Sequence, residues 1–309
     1  MEILRGLYNL RAEHRGCVLA IGNFDGVHLG HQALLERLRA RADATDLPMC
    51  VQSFRPSAAA WFDPANAPPA VQPLRDTAQT LADFGVARWS CLRFDGRFAR
   101  FAAEDYIDQV LVDRLGVAAV VVGADFRFGA KRAGDVAMLE AAGRRHGFAV
   151  DTVGDVRAGG ERVSSTRLRA ALGEGDLATA ELLLGRRYSL SGVVRSGRKL
   201  GRELGAATAN MSFRERLALR HGVYAVQMRC EGREWPGVAN FGTRPTVDGG
   251  RPVLEAHALA DTGALYGRQL TVYFHQFLRA EQRFDSVEAL SAQIRADVAQ
   301  ARAHFGLSA

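Results

Sequence analysis

The chain is poor in lysine: of its 40 basic residues only Lys131 and Lys199 are lysine, and the rest are arginine. The arginines are spread along the whole length, with no basic block carrying interleaved aromatics. The net charge of +6 therefore reflects a generally arginine-rich composition, with binding of small polyanions a modest contributor, and does not point to nucleic acid. No run approaches the roughly 20 apolar residues that a membrane-spanning helix needs, so no membrane span is expected. The four cysteines, Cys17, Cys50, Cys91 and Cys230, form no Cys-x-x-Cys pair. That excludes the usual zinc motifs and leaves free buried thiols as the expectation. A Gly-Lys-Ser/Thr triplet is absent, and with it the Walker A loop. The first residues, Met1-Glu-Ile-Leu-Arg5, lack the basic, apolar and small-residue succession of a secretory signal, so a cytoplasmic location is expected. Internal repeats and low-complexity segments are absent as well.

What is present suffices for two domains with separate cores: 309 residues, 48% hydrophobic and 24% charged. From residue 18 to about 153, apolar runs alternate with helical patterns. The spacing predicts strands at Val18–Ile21, Met49–Phe54, Trp89–Phe94, Ala118–Gly123 and Phe148–Val153, with helices near 32–42, 75–84, 103–115 and 136–146. Such alternation implies a parallel sheet with helices on both faces, and ligands at the carboxyl ends of its strands. Helices are predicted again from Ser164 and from about Asp176 to Leu184. After Gly185 the rhythm changes to short β-like runs, Tyr188–Val194, Val223–Arg229, Trp235–Phe241, Leu254–Leu259 and Leu270–Phe277, the pattern of an antiparallel sheet or small barrel. A closing helix over 286–305 carries an apolar stripe, with Asp285 and Glu288 at capping-box spacing. The domain boundary is expected near 184–187.

The most informative segment is Val18-Leu-Ala-Ile-Gly-Asn-Phe-Asp-Gly-Val-His-Leu-Gly-His31: a buried strand, a glycine-bearing turn, then two histidines at the start of a helix. A helix N-terminus offers unpaired N–H groups and the positive end of a dipole, which suit phosphate, and the imidazoles add donors. His28 and His31 could equally be structural if taken alone. A second helix start at Ser164-Ser-Thr-Arg-Leu-Arg169 makes the anion-binding reading the better one. In the other half, Gly197, Gly201 and Gly205 punctuate a segment read either as a turn-rich β meander or as backbone approaching phosphate.

Gly22 to His31, with Val122-Gly-Ala-Asp-Phe-Arg-Phe-Gly129 and Ser164 to Arg169, resembles in order and spacing the adenylyltransferase half of the prokaryotic bifunctional riboflavin kinase/FAD synthetase family. The succession Gly192 to Asn210, His221-Gly-Val-Tyr-Ala225, Gly237-Val-Ala-Asn-Phe-Gly-Thr-Arg-Pro245, Leu254-Glu-Ala-His257 and Arg279-Ala-Glu-Gln-Arg-Phe-Asp285 resembles its riboflavin kinase half. The resemblance implies a Rossmann-like nucleotidyltransferase domain over 1–185. It also implies an antiparallel β-barrel kinase domain with a C-terminal helix over 186–309. The implied reactions are phosphorylation of riboflavin to FMN and transfer of AMP to FMN, giving FAD and pyrophosphate. ATP would be co-substrate and Mg²⁺ the cofactor, and no nucleic acid or membrane partner is expected.

By that resemblance, His28 and His31 would hold the α- and β-phosphates of ATP, with Gly22, Phe24 and Gly26 shaping the turn. Ser164, Thr166 and Arg169 would close over the triphosphate. Asp125, Phe126 and Phe128 would lie near the flavin or adenine, core packing being the other reading for the phenylalanines. In the kinase half Gly197 and Gly201 would approach ATP, Thr208 and Asn210 would hold Mg²⁺, Glu255 would be the base, and Arg279 and Glu281 would lie on the flavin side. Two positions depart from the family. Phe-Glu-Pro-His-Pro is Phe54-Arg-Pro-Ser-Ala58 here, and Pro-Thr-Ala-Asn is Ala207-Thr-Ala-Asn210. They motivate two other readings: a kinase with an impaired adenylyltransferase half, and a flavin- or nucleotide-binding protein without turnover.

Overall fold

The computed structural model describes residues 1–195, 208–243 and 251–308. Two compact units divide them, one of Met1–Pro68 with Thr77–Ser164 and the other of Pro69–Asp76 with the chain from Ser165 onward.

The first unit is built on six strands: β1 (Glu2–Arg5), β2 (Cys17–Ile21), β3 (Met49–Arg55), β4 (Arg88–Arg93), β5 (Val117–Gly123) and β6 (Ala149–Val153). They pair in the order β1-β4-β3-β2-β5-β6, every pair parallel. All five residues of β2 are buried, as a central strand covered on both faces requires. The direction of winding reverses at β2, which has β3 on one side and β5 on the other. In an open parallel sheet the carboxyl ends of strands at such a reversal form the ligand crevice.

Helix α1 (Leu29–Thr45) follows β2 and buries Leu34, Leu35, Leu38 and Ala42. Its Arg41 and Arg37 hold Asp151 of β6 at 2.5 and 2.9 Å, and the Arg41 hydrogen bond leads in keeping that carboxyl down at about 2. A short α2 (Ala58–Phe62) and α3 (Leu74–Asp83) follow β3. The helical segment expected over 103–115 is a single turn, α4 (Ala103–Asp105), running into a wider π-helical stretch, Tyr106–Arg114. Helix α5 (Val136–His146) is capped by Asp135. A hairpin of β7 (Arg157–Ala158) and β8 (Glu161–Arg162) completes the unit.

The second unit holds β9 (Ser189–Val193), β10 (Thr208–Ser212), β11 (Gly222–Cys230), β12 (Arg233–Thr243), β13 (Pro252–Ala258) and β14 (Gln269–Arg279). They form an antiparallel sheet in the order β10-β13-β12-β11-β14-β9. Its two edges meet where the Arg195 N–H donates to the Asn210 carbonyl at 2.9 Å, so the sheet closes almost completely into a barrel. Of the two arrangements the sequence allowed, the barrel is the one adopted. Helices α6 (Ser165–Glu174) and α7 (Leu177–Leu184) belong to this unit, and α8 (Val287–His304) packs on β11 and β12. The N-cap of α8 is Ser286, whose Oγ accepts from the Ala289 N–H at 3.1 Å. The expected capping pair of Asp285 and Glu288 is not the one used. Sequence spacing could not separate a cap at 285 from one at 286.

Pro69–Asp76 straps onto this barrel unit. Tyr188 Oη donates to the Val71 carbonyl at 2.7 Å, Ala70 bridges Leu217, and the Ser191 N–H donates to Asp76 Oδ2 at 2.9 Å. Burial pushes the Asp76 carboxyl up to about 6 despite that bond.

Candidate functional site

The first site leaves the carboxyl end of β2 at the reversal of winding. Gly22 ends the strand with its N–H on the Gln52 carbonyl at 3.1 Å. The turn then carries two non-glycine residues with positive φ, Phe24 (51°) and Val27 (45°), both fully buried. Left-handed backbone at such side chains costs of order 1–3 kcal/mol each and persists only where the surroundings enforce it, which is typical of binding turns. Gln32 Nε2 braces the turn on the Val27 carbonyl at 3.0 Å.

His28 is the N-cap of α1, its Nδ1 accepting from the His31 N–H at 3.3 Å. With Nδ1 accepting that bond, a neutral His28 ring would carry its proton on Nε2. The His28 and His31 rings stack with centroids 3.8 Å apart and 10° between planes. Phe24 lies against His31 at 5.0 Å. A side chain at Gly30 would press on the His28 ring, with a Cβ only 3.2 Å from Cε1. Thus Gly22, Phe24, Gly26, His28 and His31 come together as one turn.

The loop after β5, next in the sheet, carries the other expected residues. Asp125 is ion-paired with Arg162 of β8 at 2.6 Å, and the arginine holds its carboxyl below the usual range. Phe128 is buried against Tyr106 and Phe126, with centroids at 5.6 Å in each case, and its ring lies over Gly134, where no Cβ would fit. It belongs to the core, and Phe126 is the more accessible ring. The rings of Phe54, Phe94, Phe98, Phe101, Tyr106 and Phe62 extend this cluster in an unbroken chain of contacts. Sequence reasoning missed that aromatic wall, because its members are scattered over four segments that only the sheet brings together. At the first family departure, Ser57 caps α2 through its Oγ and the Ala60 N–H, so this segment is ordered by a serine cap.

Ser164 ends the first unit, while Thr166 and Arg169 stand on α6 of the second. Thr166 is exposed, and Arg169 Nε donates to the Pro69 carbonyl at 2.8 Å.

The second site lies on the barrel. Thr208 and Asn210 are on β10, a strand not expected from the sequence. Antiparallel register sets Thr208 opposite His257 and Asn210 opposite Glu255. Ala209 and Met211 on either side of Asn210, and Leu254 and Ala256 on either side of Glu255, are buried in the barrel. By alternation, Asn210 and Glu255 share its outer face. Arg279 is held by Asp297 of α8 in a two-pronged pair at 2.8 and 2.7 Å. Glu281 accepts from Asn240 Nδ2 at 3.3 Å. Gly197 and Gly201 lie outside the described residues. Among the described residues no group of three or more His, Cys, Asp or Glu side chains is set to hold a metal ion. Thr208 and Asn210 instead offer neutral oxygens, the donor set suited to a magnesium ion that arrives with phosphates and keeps several waters.

A family model described as FAD synthetase matches residues 10–167, and one described as riboflavin kinase matches 184–305. The chain is 50% identical over 304 residues to the bifunctional riboflavin kinase/FMN adenylyltransferase of Pseudomonas fluorescens, covering 98% of this chain and 97% of that protein. Against the protein of the same description from Escherichia coli (strain K12) it is 45% identical over 310 residues, covering 100% and 99%. A crystal structure described as a macrolide-efflux protein from Streptococcus pneumoniae superposes with a TM-score of 0.82 at 25% identity, covering 98% of this chain and 99% of that one. Among the described residues no helix is long and apolar enough to cross a membrane.

Proposed function

The chain belongs to the bifunctional riboflavin kinase/FMN adenylyltransferase family, and from that premise we propose which residues perform its two reactions. The enzyme phosphorylates riboflavin to FMN and adenylylates FMN to FAD, with ATP as co-substrate in both steps.

Adenylylation belongs to the turn after β2. The FMN phosphate is mostly ionised at pH 7, since a phosphomonoester's second pKa is about 6, so the attacking oxygen needs no base. It needs alignment, and neutralisation of the charge that moves onto the departing pyrophosphate. The start of α1 and the His28 and His31 donors supply that at the α- and β-phosphates. The resemblance assigns Ser164, and Thr166 and Arg169 of α6, to ATP as well, and Asp125 and Phe126 serve the flavin or adenine, with Phe128 supporting Phe126 from the core.

Phosphorylation belongs to the β10–β13 face. Glu255 takes the proton from the riboflavin 5′-hydroxyl as that oxygen attacks the γ-phosphate of ATP. A hydroxyl does need a base, and a carboxylate fits that demand. Thr208 and Asn210 would hold Mg²⁺, which would supply neutralisation of phosphate charge, with Gly197 and Gly201 assigned to ATP by the resemblance. Glu281 stands on the flavin side, and Arg279 anchors the end of β14 to α8 behind it. The observation that carries this assignment is the register pairing of Asn210 with Glu255, which sets an amide beside a carboxylate.

We place the boundary between the catalytic halves at 185/186, which the start of the kinase match at 184 supports. We also place the protein in the cytoplasm, without nucleic-acid or membrane partners. The test is a chromatographic time course with riboflavin, ATP and Mg²⁺. FMN should rise first and FAD follow, and chelating the metal should stop both. FMN accumulating without FAD would instead make Arg55–Ala58 the seat of a silent adenylyltransferase.

A further inference from the structure

The row that begins with Asn210 and Glu255 continues beyond them. On β12, Asn240 is the register partner of Glu255, and its neighbours Ala239 and Phe241 are buried in the barrel. Asn240 therefore shares the outer face with Glu255, one strand spacing away, about 4.8 Å, on the side opposite Asn210. Its Nδ2 donates to Glu281 Oε1 at 3.3 Å, and Glu281 Oε2 lies 3.9 Å from His221 Nδ1. Gly242 completes this clamp, because a Cβ there would collide with the Glu281 carboxylate. His221 in turn lines a cavity of ≈ 400 Å³ with Leu217, Thr243, Pro252 and three arginines, Arg214, Arg216 and Arg251, a size within the roughly 300–1,000 Å³ of small-molecule sites.

We propose that Asn240 recognises the ribityl hydroxyls of riboflavin and so sets flavin specificity in the kinase reaction, with Glu281, His221 and Gly242 fixing its orientation. The inference deepens the kinase assignment above and rests on it. On the kinase assignment proposed above, Asn210 would hold the metal and the phosphates would lie with it, on that side of Glu255. The flavin whose 5′-hydroxyl reaches Glu255 must then extend the other way, and the first side chain it meets is Asn240. The bond to Glu281 uses one amide N–H, leaving a second N–H and a carbonyl oxygen. Donor and acceptor side by side match neighbouring hydroxyls on the ribityl chain. The isoalloxazine ring is then directed toward the cavity beside His221.

The experiment compares riboflavin with a flavin carrying a 5-hydroxypentyl chain at N10, which keeps the reacting hydroxyl and lacks those at 2′, 3′ and 4′. The native enzyme should prefer riboflavin in kcat/KM. Asn240→Ala should lower kcat/KM for riboflavin about tenfold, the effect of one net hydrogen bond, mainly through the flavin KM. The analogue and the KM for ATP should be unchanged, so the preference collapses. Asn240→Ser, which restores a hydroxyl, should recover part of it. FAD formation from supplied FMN in the same preparation reports an intact chain. Gly242→Ala, which displaces Glu281 without touching Asn240, should reduce the preference as well. Equal losses on both flavins, or a rise in the ATP KM alone, would overturn the proposal. Glu255→Gln separates it from its premise. Continued phosphorylation by that variant refutes the kinase assignment. An inactive Glu255→Gln with native preference in Asn240→Ala refutes this inference alone.

Discussion

In the assignment proposed above, the two sites would handle the same co-substrate with different materials. In the first unit, phosphate would meet a strained turn, a helix start and two stacked imidazoles at the reversal of a parallel sheet. In the barrel it would meet side chains set in rows across antiparallel strands, and one of those is a carboxylate. The nucleophile explains the difference. An FMN phosphate is already an anion, so a second negative group beside it would only repel it, and donors are what the site needs. A flavin hydroxyl carries a proton that must leave, so the barrel site needs an acceptor. A helix start suits the first demand, and a strand pairing that brings an amide and a carboxylate together suits the second.

Removing the acceptor is the strongest way to break the comparison. Glu255→Gln keeps the size and removes the base, and should lower riboflavin phosphorylation by about 10²- to 10⁴-fold, the usual range for acid–base catalysis. FMN-to-FAD conversion should continue at the native rate, measured with FMN supplied directly. Parallel loss of both activities in a folded variant would mean that Glu255 is not specific to the kinase. The reciprocal change, His28→Ala, removes a donor and the cap of α1 together. FAD formation should fall about 10²- to 10³-fold, as for loss of one preorganised donor, with FMN formation intact. The same two assays read both variants, so the pair forms a cross.

The strand, turn and helix start of the first site were legible from neighbouring residues, whereas the residues of the second were named only through the family resemblance. Val18–Ile21 is continuously apolar and the histidines follow it directly, so strand, turn and helix start could be placed from neighbouring residues. The stacking of His28 on His31 was invisible, because it depends on the backbone at Phe24 and Val27. In the barrel, β10 reads Thr-Ala-Asn-Met-Ser, small and polar, with no alternation strong enough to mark a strand. Its pairing with β13 joins residues more than 40 positions apart in sequence. Asn240 was missed for the same reason: its relation to Glu255 exists only through register. β1 escaped notice because a four-residue edge strand with one buried side chain carries almost no apolar pattern. The π-helical widening over Tyr106–Arg114 also leaves no trace in the spacing, since its apolar residues suit an α-helix equally well.

Arg279 sharpens the comparison on the side of stability. Asp297 is 3% exposed and is held by Arg279 and by Gln293 at 2.9 Å. Arg279→Ala would leave a buried carboxylate without its cation, a change that costs about 3–5 kcal/mol where such pairs are broken. Urea unfolding should show an earlier transition for the barrel unit. At low temperature, where the variant is still folded, the riboflavin KM should stay within about threefold of native, less than one net hydrogen bond would shift it. A large rise in that KM would place the guanidinium on the flavin itself and not behind it.

The smallest expected effect tests the strap on the barrel. Burial raises the Asp76 carboxyl to about 6, so the folded protein holds its proton more tightly than the unfolded chain. Below the unfolded value near 3.8 the group is protonated in both states and costs nothing. As pH rises from there through about 6, the folded state must ionise a buried carboxyl and loses stability. The full penalty, roughly 2–3 kcal/mol at 1.36 kcal/mol per pKa unit, is in place at pH 7. Asp76→Asn keeps an oxygen to accept the Ser191 N–H and has nothing to ionise. It should match the native protein in urea at pH 4 and exceed it at pH 7, with the gap opening between those values. A gap of equal size at both ends would mean that packing, and not the charge, separates the two proteins. A native protein more stable than the variant at pH 7 would show that Arg75 and the Ser191 N–H outweigh burial, and that the strap is held by a charged Asp76.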